Sequence, residues 1–351
     1  MKRETQKRPL NVSFRRGSKA EKVYRDRAGL PEIEMLAPET EVLAPGLPPT
    51  PSHDLHYHGG RTIADLHFRN FYVGADAWPN ADIARIDNAL AAAMSDAHLN
   101  NVMEQYFPGD ISSTFDGSEK LAGPAPNTVS QTDIEAVVTS LANQGKFSSS
   151  NLKSTVFNFM LPPGTVLNDD TTSSSASSHE DDEKENGKKH RAIPDDDEAD
   201  SLHGLGGYHG SIHLSGQTMY YAVGVYSEMQ ADGTENGIVV FDQPWKNVVA
   251  TFYHELNEAR TDADVEDAIR AGNDPKAIKF LGWTSRQGEE CGDFPVFESG
   301  NDLSLVFQEV ELATGQGMVP VQFEYSNHVH GPEGPVTTPD PKAHTRLHQP
   351  A

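Results

Sequence analysis

The residues best suited to chemistry lie in one stretch of the chain, WKNVVATFYHELNEARTD, from Trp245 to Asp262. His254 and Glu258 are four positions apart, and on a helix such residues lie one above the other on the same face. The sequence H-E-x-x-E also differs by one residue from the H-E-x-x-H of zinc hydrolases, in which two histidines bind the metal and the glutamate activates a water. We therefore predict that His254 and Glu258 are metal ligands and that Glu255 is the catalytic base.

The ligand types favour zinc but do not require it. Zinc accepts carboxylate oxygen as well as imidazole nitrogen, so Glu258 is a competent replacement for a second histidine. A carboxylate also makes the site harder, and manganese, iron or calcium would suit such a set as well. We expect one divalent metal, with zinc as the first candidate. The alternative is that the glutamates are solvated charges on an ordinary helix surface.

A third ligand is offered by an acidic, glycine-containing segment further along the chain, GEECGDF. It contains Glu289, Glu290 and Asp293. His58 and His209, each in a glycine-flanked H-G segment, are accessory candidates, either as extra ligands or as donors to a substrate oxyanion. The alternative for both histidines is a turn residue that hydrogen-bonds to the backbone.

The stretch around His254 has the period of a helix. Val248, Phe252 and Leu256 recur at the spacing of an apolar helical stripe. This face is expected to enter the core, where an unpaired charge would be costly. The burial of the stripe therefore favours the metal site over the solvated alternative.

Other segments set the expected fold class. We predict helices within Asp82–Tyr106 and Thr132–Gln144, strands over Ser154–Leu161, Tyr220–Tyr226 and Gly237–Phe241, and a hairpin of Leu303–Leu312 with Val319–Tyr325. Strands and helices do not alternate regularly, which is typical of the α+β class. The prediction is a single zincin-like α+β domain, with a mixed, mostly antiparallel sheet and a metal-site helix.

Composition predicts the domain boundaries. Residues 1–54 are expected to be a disordered basic arm and residues 331–351 a disordered tail, because neither has an apolar period that supports a core. The domain then covers residues 55–330. Within it, residues 169–202 are almost devoid of apolar side chains and are expected to be a disordered acidic insertion.

Charge and cysteine content limit the classes of binding partner and the compartment that we expect. The formal charge of −24 argues against nucleic acid as a partner, because a phosphate backbone requires clustered cations. Cys291 is the single cysteine, so no internal disulfide can form. The chain shows neither the apolar core of a secretory signal nor a run long enough to span a membrane. We expect a cytoplasmic protein with no membrane partner, acting on a peptide or another small substrate.

Several motifs together resemble the plant EXORDIUM or phosphate-induced protein family and its bacterial relatives. They occur in the order found in that family, over roughly residues 55–328. The pieces are YHGG at residues 57–60, GYHGS at 207–211, YYAVGVY at 220–226, HELNEARTDADV at 254–265, GW at 282–283, E-x-G-D at 290–293 and VQFEYSN at 321–327. The HELxEA and E-x-G-D pieces are the most specific of these.

The resemblance implies that His254, Glu258 and one or both of Glu290 and Asp293 converge, with Glu255 beside them. The chain also departs from the family. The plant members of that family look like secreted proteins rich in cysteine, whereas this chain has one cysteine and an acidic insertion of its own. An apoplastic location and a role in growth signalling are therefore not transferred.

Two functional hypotheses follow from these residues. The first is a metal-dependent, metallopeptidase-like hydrolase, with the metal held by His254, Glu258 and Glu290 or Asp293, and water activated by Glu255. The second is a non-catalytic EXORDIUM-like binding or structural protein, with a structural metal or none. An open coordination position would favour the enzyme, and a closed set of protein ligands would favour the structural role.

Overall fold

The computed structural model describes residues 11–28, 47–168, 199–272 and 274–339. The helices in these ranges are α1 Lys19–Ala28, α2 Asn80–Ser95, α3 Ala97–Met103, α4 Gln131–Asn143, α5 Pro244–Thr261, α6 Val265–Ala271 and α7 Asp293–Glu298. The strands are β1 Val12–Phe14, β2 His56–Tyr57, β3 Asp65–Tyr72, β4 Ser112–Lys120, β5 Thr128–Ser130, β6 Thr155–Met160, β7 Val166–Asn168, β8 Leu205–Leu214, β9 Gln217–Gly224, β10 Glu228–Met229, β11 Glu235–Asn236, β12 Trp283–Thr284, β13 Phe307–Glu311, β14 Met318–Gln322, β15 Glu324–Ser326 and β16 Gly331–Glu333.

A six-stranded sheet forms the centre of the fold, in the order β1-β8-β9-β6-β3-β4. Neighbouring strands pair in parallel from β9 through β6 and β3 to the edge strand β4, whereas β8 pairs antiparallel with both β9 and β1. Over all the described strand pairs, six are antiparallel and four are parallel. The expected α+β class with a mixed, mostly antiparallel sheet is confirmed.

The central sheet is buried on both faces because its inner strands carry apolar side chains on both sides. In β6, Phe157 and Phe159 join the cluster that contains α4, whereas Val156 and Met160 join the cluster that contains α2 and α5. A continuous apolar strand is typical of a parallel sheet covered by helices on each side. Helix α5 therefore lies against the sheet and not at the protein surface.

Helix α5 is buried along almost its whole length, from Lys246 to Thr261. Pro244 occupies its first turn, where the missing N–H costs no helical hydrogen bond. Its apolar stripe packs into the core: Phe252 and Leu256 are fully buried. The remaining faces carry polar side chains that are equally buried, so their charges and hydrogen bonds must be satisfied inside the protein.

Most predicted elements have the expected position, but the strand predicted at Gly237–Phe241 is wrong. This segment leads into α5, and the side chain of Asn247 binds its backbone. The N–H groups of Val240 and Phe241 donate to Asn247 Oδ1 at 3.0 and 2.8 Å. The donors that a neighbouring strand would use are thereby taken by the helix.

The predicted boundaries need three corrections. Residues 11–28 of the expected arm contain β1 and α1, with Val12 and Phe14 buried in the core, and residues 47–54 of the arm also belong to the fold, because Leu47 is buried. Residues 199–202 of the expected insertion belong to the fold, because Ala199 is buried and Ser201 Oγ accepts a bond from the Leu167 N–H at 2.9 Å. In the expected tail, β16 pairs with β15.

The predicted boundaries came from the average composition of long segments. A short buried strand such as β1 contains only a few apolar residues, so it hardly changes that average. Of the predicted disordered regions, residues 1–10, 29–46, 169–198 and 340–351 lie outside the described residues. Within the described ranges, no helix is both long enough and apolar enough to cross a membrane.

Candidate metal centre

Three parts of the fold bring six ionisable side chains together, which we call the buried cluster. Helix α5 supplies His254, Glu255 and Glu258, strand β8 supplies His209, and the third part supplies Glu290 from the loop before α7 and Asp293 from the first turn of α7. None of the six residues is more than 3 % exposed. Four carboxyl groups and two imidazoles thus meet in a volume closed to solvent in this conformation.

The imidazole of His254 is held with one nitrogen turned toward Glu258. Its Nδ1 lies 3.0 Å from Gln322 Oε1, and the Gln322 amide nitrogen donates to the Gly292 carbonyl at 2.6 Å. An amide oxygen can only accept, so this bond assigns the proton to Nδ1 and leaves the Nε2 lone pair free in the neutral ring. A partner that fixes the outer nitrogen in this way is typical of metal-binding histidines.

Glycine at position 292 allows this arrangement. A Cβ atom there would lie 2.2 Å from His254 Nδ1, which is closer than any side chain permits. Its backbone φ of −89° is ordinary, so the reason for glycine is contact and not backbone strain. The Gly292 N–H also donates to Glu258 Oε1 at 3.1 Å. The glycine of the E-x-G-D motif therefore positions both predicted ligands.

His209 faces the same carboxylates from the sheet. Its Nδ1 lies 3.3 Å from Glu255 Oε2 and 3.7 Å from Glu258 Oε2. Its other nitrogen, Nε2, lies 3.7 Å from Glu290 Oε1. The second oxygen of Glu255, Oε1, accepts a hydrogen bond from Ser13 Oγ of β1 at 2.8 Å. His209 is therefore a member of the cluster and not only an accessory residue.

Potential ligand atoms form two groups within 4.8 Å of one another. One group is His254, Glu258 and Asp293, and the other is His209, Glu255 and Glu258. Several polar atoms of the buried cluster have no hydrogen-bond partner: His209 Nε2, His254 Nε2, Glu258 Oε2 and both oxygens of Glu290. Buried polar atoms rarely remain unpaired, so the set fits a divalent cation.

The geometry of one pair is especially informative. His254 Nε2 and Glu258 Oε2 lie 3.1 Å apart, which makes them an ion pair when the ring is protonated, but their approach lacks the directional geometry of a hydrogen bond. Two atoms that approach so closely without forming a hydrogen bond are arranged as co-ligands of one ion would be. Their one-turn spacing on α5 is the cause of this proximity.

Electrostatics in the cluster also favours a cation. Burial raises the pKa of Glu255, and it raises the pKa of Glu290 and Asp293 further, with the nearby Glu258 acting in the same direction. Burial alone would lower the pKa of His254, but Glu258 and the other carboxylates outweigh it and raise that pKa well above the usual value. The cluster is therefore short of positive charge.

The other predicted site residues lie elsewhere. His58 follows β2, where its Nε2 lies 3.1 Å from Thr284 Oγ1 of β12, and neither ligand group among the described residues includes it. Glu289 is occupied by Arg25 at 3.3 Å and Ser285 at 2.6 Å. Gln322 and Ser13 were missed as site residues. Gln322 belongs to the VQFEYSN motif, a usable signal, whereas nothing in the sequence singles out Ser13.

The solvated-helix alternative is wrong for Glu255 and Glu258, since both are fully buried. The chain matches no protein-family model, no curated protein and no solved structure. The resemblance to the EXORDIUM family consequently depends on the motifs alone.

Proposed function

We propose that this protein is a metal-dependent hydrolase of peptide or other amide bonds, with one divalent cation held by His254, Glu258 and Asp293. The observation that carries the proposal is the pair of His254 Nε2 and Glu258 Oε2, which are 3.1 Å apart, buried and without hydrogen-bond partners. Zinc is the first candidate because it accepts both imidazole and carboxylate. Manganese, iron and calcium also suit a carboxylate-rich set.

The chemistry follows from the residues around this group. A divalent cation polarises a carbonyl and lowers the pKa of water. Glu255 is the proposed proton acceptor, and burial, which raises its pKa, makes it a stronger base. Ser13 orients Glu255 through its 2.8 Å hydrogen bond. His209, 3.3 Å from the same carboxyl group, can share the accepted proton.

Metal content and turnover, measured on the same preparations, test the proposal. Wild type should contain metal, His254→Ala should lose it from this group, and Glu255→Gln should retain it there while turnover of peptide substrates is lost. His58→Ala is the matched control because His58 is outside the cluster, and its metal content and turnover should be unchanged. Wild type without metal, or full turnover by Glu255→Gln, would contradict the proposal.

A second candidate function is a non-catalytic protein with a structural metal. It is favoured by the closure of the cluster, whose six residues are at most 3 % exposed. Structural sites typically have a complete set of protein ligands, whereas catalytic ones keep a position open. This candidate predicts metal in the wild type, no turnover, and marked destabilisation by His254→Ala.

A further inference from the structure

We infer a second divalent-cation position beside the first, formed by His209, Glu255 and Glu258. The inference deepens the proposed function and rests on it, since it makes the proposed metal site a two-metal centre. It concerns residues on the sheet side of α5, where β8 presents His209 to the helix.

The two histidines belong to different groups of potential ligand atoms. Metal–ligand bonds to zinc are about 2.0–2.2 Å long, so two ligands of one ion lie at most about 4.4 Å apart. Among the described residues, no group of ligand atoms within 4.8 Å of one another contains both His209 and His254. Each histidine instead belongs to its own group. One ion would therefore leave one of the two groups without a cation.

Glu258 is the residue that the two groups share. Its Oε2 lies 3.1 Å from His254 Nε2 and 3.7 Å from His209 Nδ1, and it has no hydrogen-bond partner. Its other oxygen is occupied by the Gly292 N–H. A single unpaired carboxylate oxygen thus faces both histidines, which is the position of a bridging ligand between two cations.

Charge balance supports two cations over one. Glu255, Glu258, Glu290 and Asp293 are all buried, and the ion-pair partners of the three glutamates are the two histidines. When the histidines act as neutral ligands and bound cations displace the carboxyl protons, these carboxylates carry up to four negative charges. Two divalent cations neutralise this charge, whereas one leaves a buried excess that is costly.

A two-metal centre also fits hydrolysis. Paired cations about 3.5–4 Å apart occur in aminopeptidases and phosphatases, where they bind both the attacking and the leaving groups. In such a centre Glu255 is a metal ligand. It would act as the proton acceptor only when the first cation alone is bound. The substrate class remains a peptide or amide bond.

The test is the number of cations bound per folded chain. Chelator-treated full-length protein is titrated with Zn²⁺, and bound metal is counted after removal of free metal. Wild type and the control His58→Asn should each bind two equivalents, and His209→Asn and His254→Asn one each. Circular dichroism establishes that each variant is folded.

The outcomes separate the second position from the proposed function. If wild type binds one ion and His209→Asn still binds one, the second position is overturned while the first metal site stands. If wild type binds one ion and His209→Asn binds none, a single shared centre replaces both groups. If wild type binds none, both proposals fail.

If a variant does not fold, a measurement on the wild type alone still tests the inference. Protein loaded with Mn²⁺ should give the electron paramagnetic resonance spectrum of two coupled ions when both positions are filled. The uncoupled spectrum of isolated ions at saturating Mn²⁺ would overturn the inference.

Discussion

Gly292 connects the sequence of the acidic segment to the geometry of His254. No side chain fits between its Cα and the imidazole, because a Cβ would approach Nδ1 to 2.2 Å. Its N–H also holds Glu258. Gly292 has no reactive side chain, but it orients two candidate ligands. Residues that position the ligands in this way typically change metal affinity by about 10–100-fold when they are substituted.

Gly292→Ala should therefore weaken metal binding. The added methyl group forces His254 away from its partners, which should lower metal affinity about 10–100-fold and cost about 1–3 kcal/mol of stability. Calorimetric titration with Zn²⁺ measures the affinity. Gly109→Ala is the matched control, because a Cβ at Gly109 meets nothing within 4 Å. Equal affinities of the two variants would refute this role of Gly292.

At the scale of elements, β1 is the strand of the sheet edge that contacts the cluster. Val12 and Phe14 anchor it in the core, while Ser13 points to the opposite face and binds Glu255. Next to it, Asn11 Nδ2 donates to the His209 carbonyl at 2.6 Å. β1 pairs only through β8, at the edge of the central sheet. An edge strand is separated from its sheet more easily than an inner one, so we expect movement of β1 to open the site.

Loosening β1 should accelerate metal exchange. Val12→Ala removes buried methyl groups from this strand and should cost about 1–3 kcal/mol. We expect faster transfer of bound metal to an excess of chelator, followed by a colorimetric metal indicator. Val129→Ala in β5 removes the same groups from a similarly buried position, with 6 % exposure against 4 % for Val12, but does not touch the cluster. Identical transfer rates would mean that β1 does not control access.

At the scale of the whole molecule, the buried carboxyl groups link stability to pH and to metal. Burial raises the pKa of Glu324, which lies on β15 near the cluster, to about 8. It raises the pKa of Glu290 and Asp293 as well. A carboxyl group with a raised pKa in the folded state contributes stability below its unfolded pKa and loses that contribution as pH rises through the folded value.

The metal-free protein should therefore become less stable from about pH 5 to pH 9, and bound metal should reduce this loss by neutralising the carboxylates. At a free metal concentration a thousand times Kd, binding adds about 4 kcal/mol. Thermal unfolding with chelator or with Zn²⁺ at several pH values measures both effects. In His254→Ala the response to metal should be much smaller. A metal-free protein whose melting temperature rises over this pH range would contradict the expectation.

The sequence alone was sufficient for the local part of the site. The spacing of His254 and Glu258 and the apolar stripe of Val248, Phe252 and Leu256 predicted a helix with both candidate ligands on one face and a buried apolar stripe, and α5 has these features. These features depend on a helical period of a few residues, which the order of amino acids specifies directly. The neighbouring segment with Glu290 and Asp293 was also identified, because its residue types matched a missing ligand.

Only the tertiary structure decided which other residues reach that helix. His58 and His209 stand in similar H-G segments, but His209 lies on an inner strand whose alternation turns it toward α5, whereas His58 follows a two-residue strand and meets Thr284. Likewise, Asp293 joins the His254 group while Glu290 faces His209. Strand pairing and helix packing join residues far apart in the chain, so they depend on how the whole core closes and not on any local pattern.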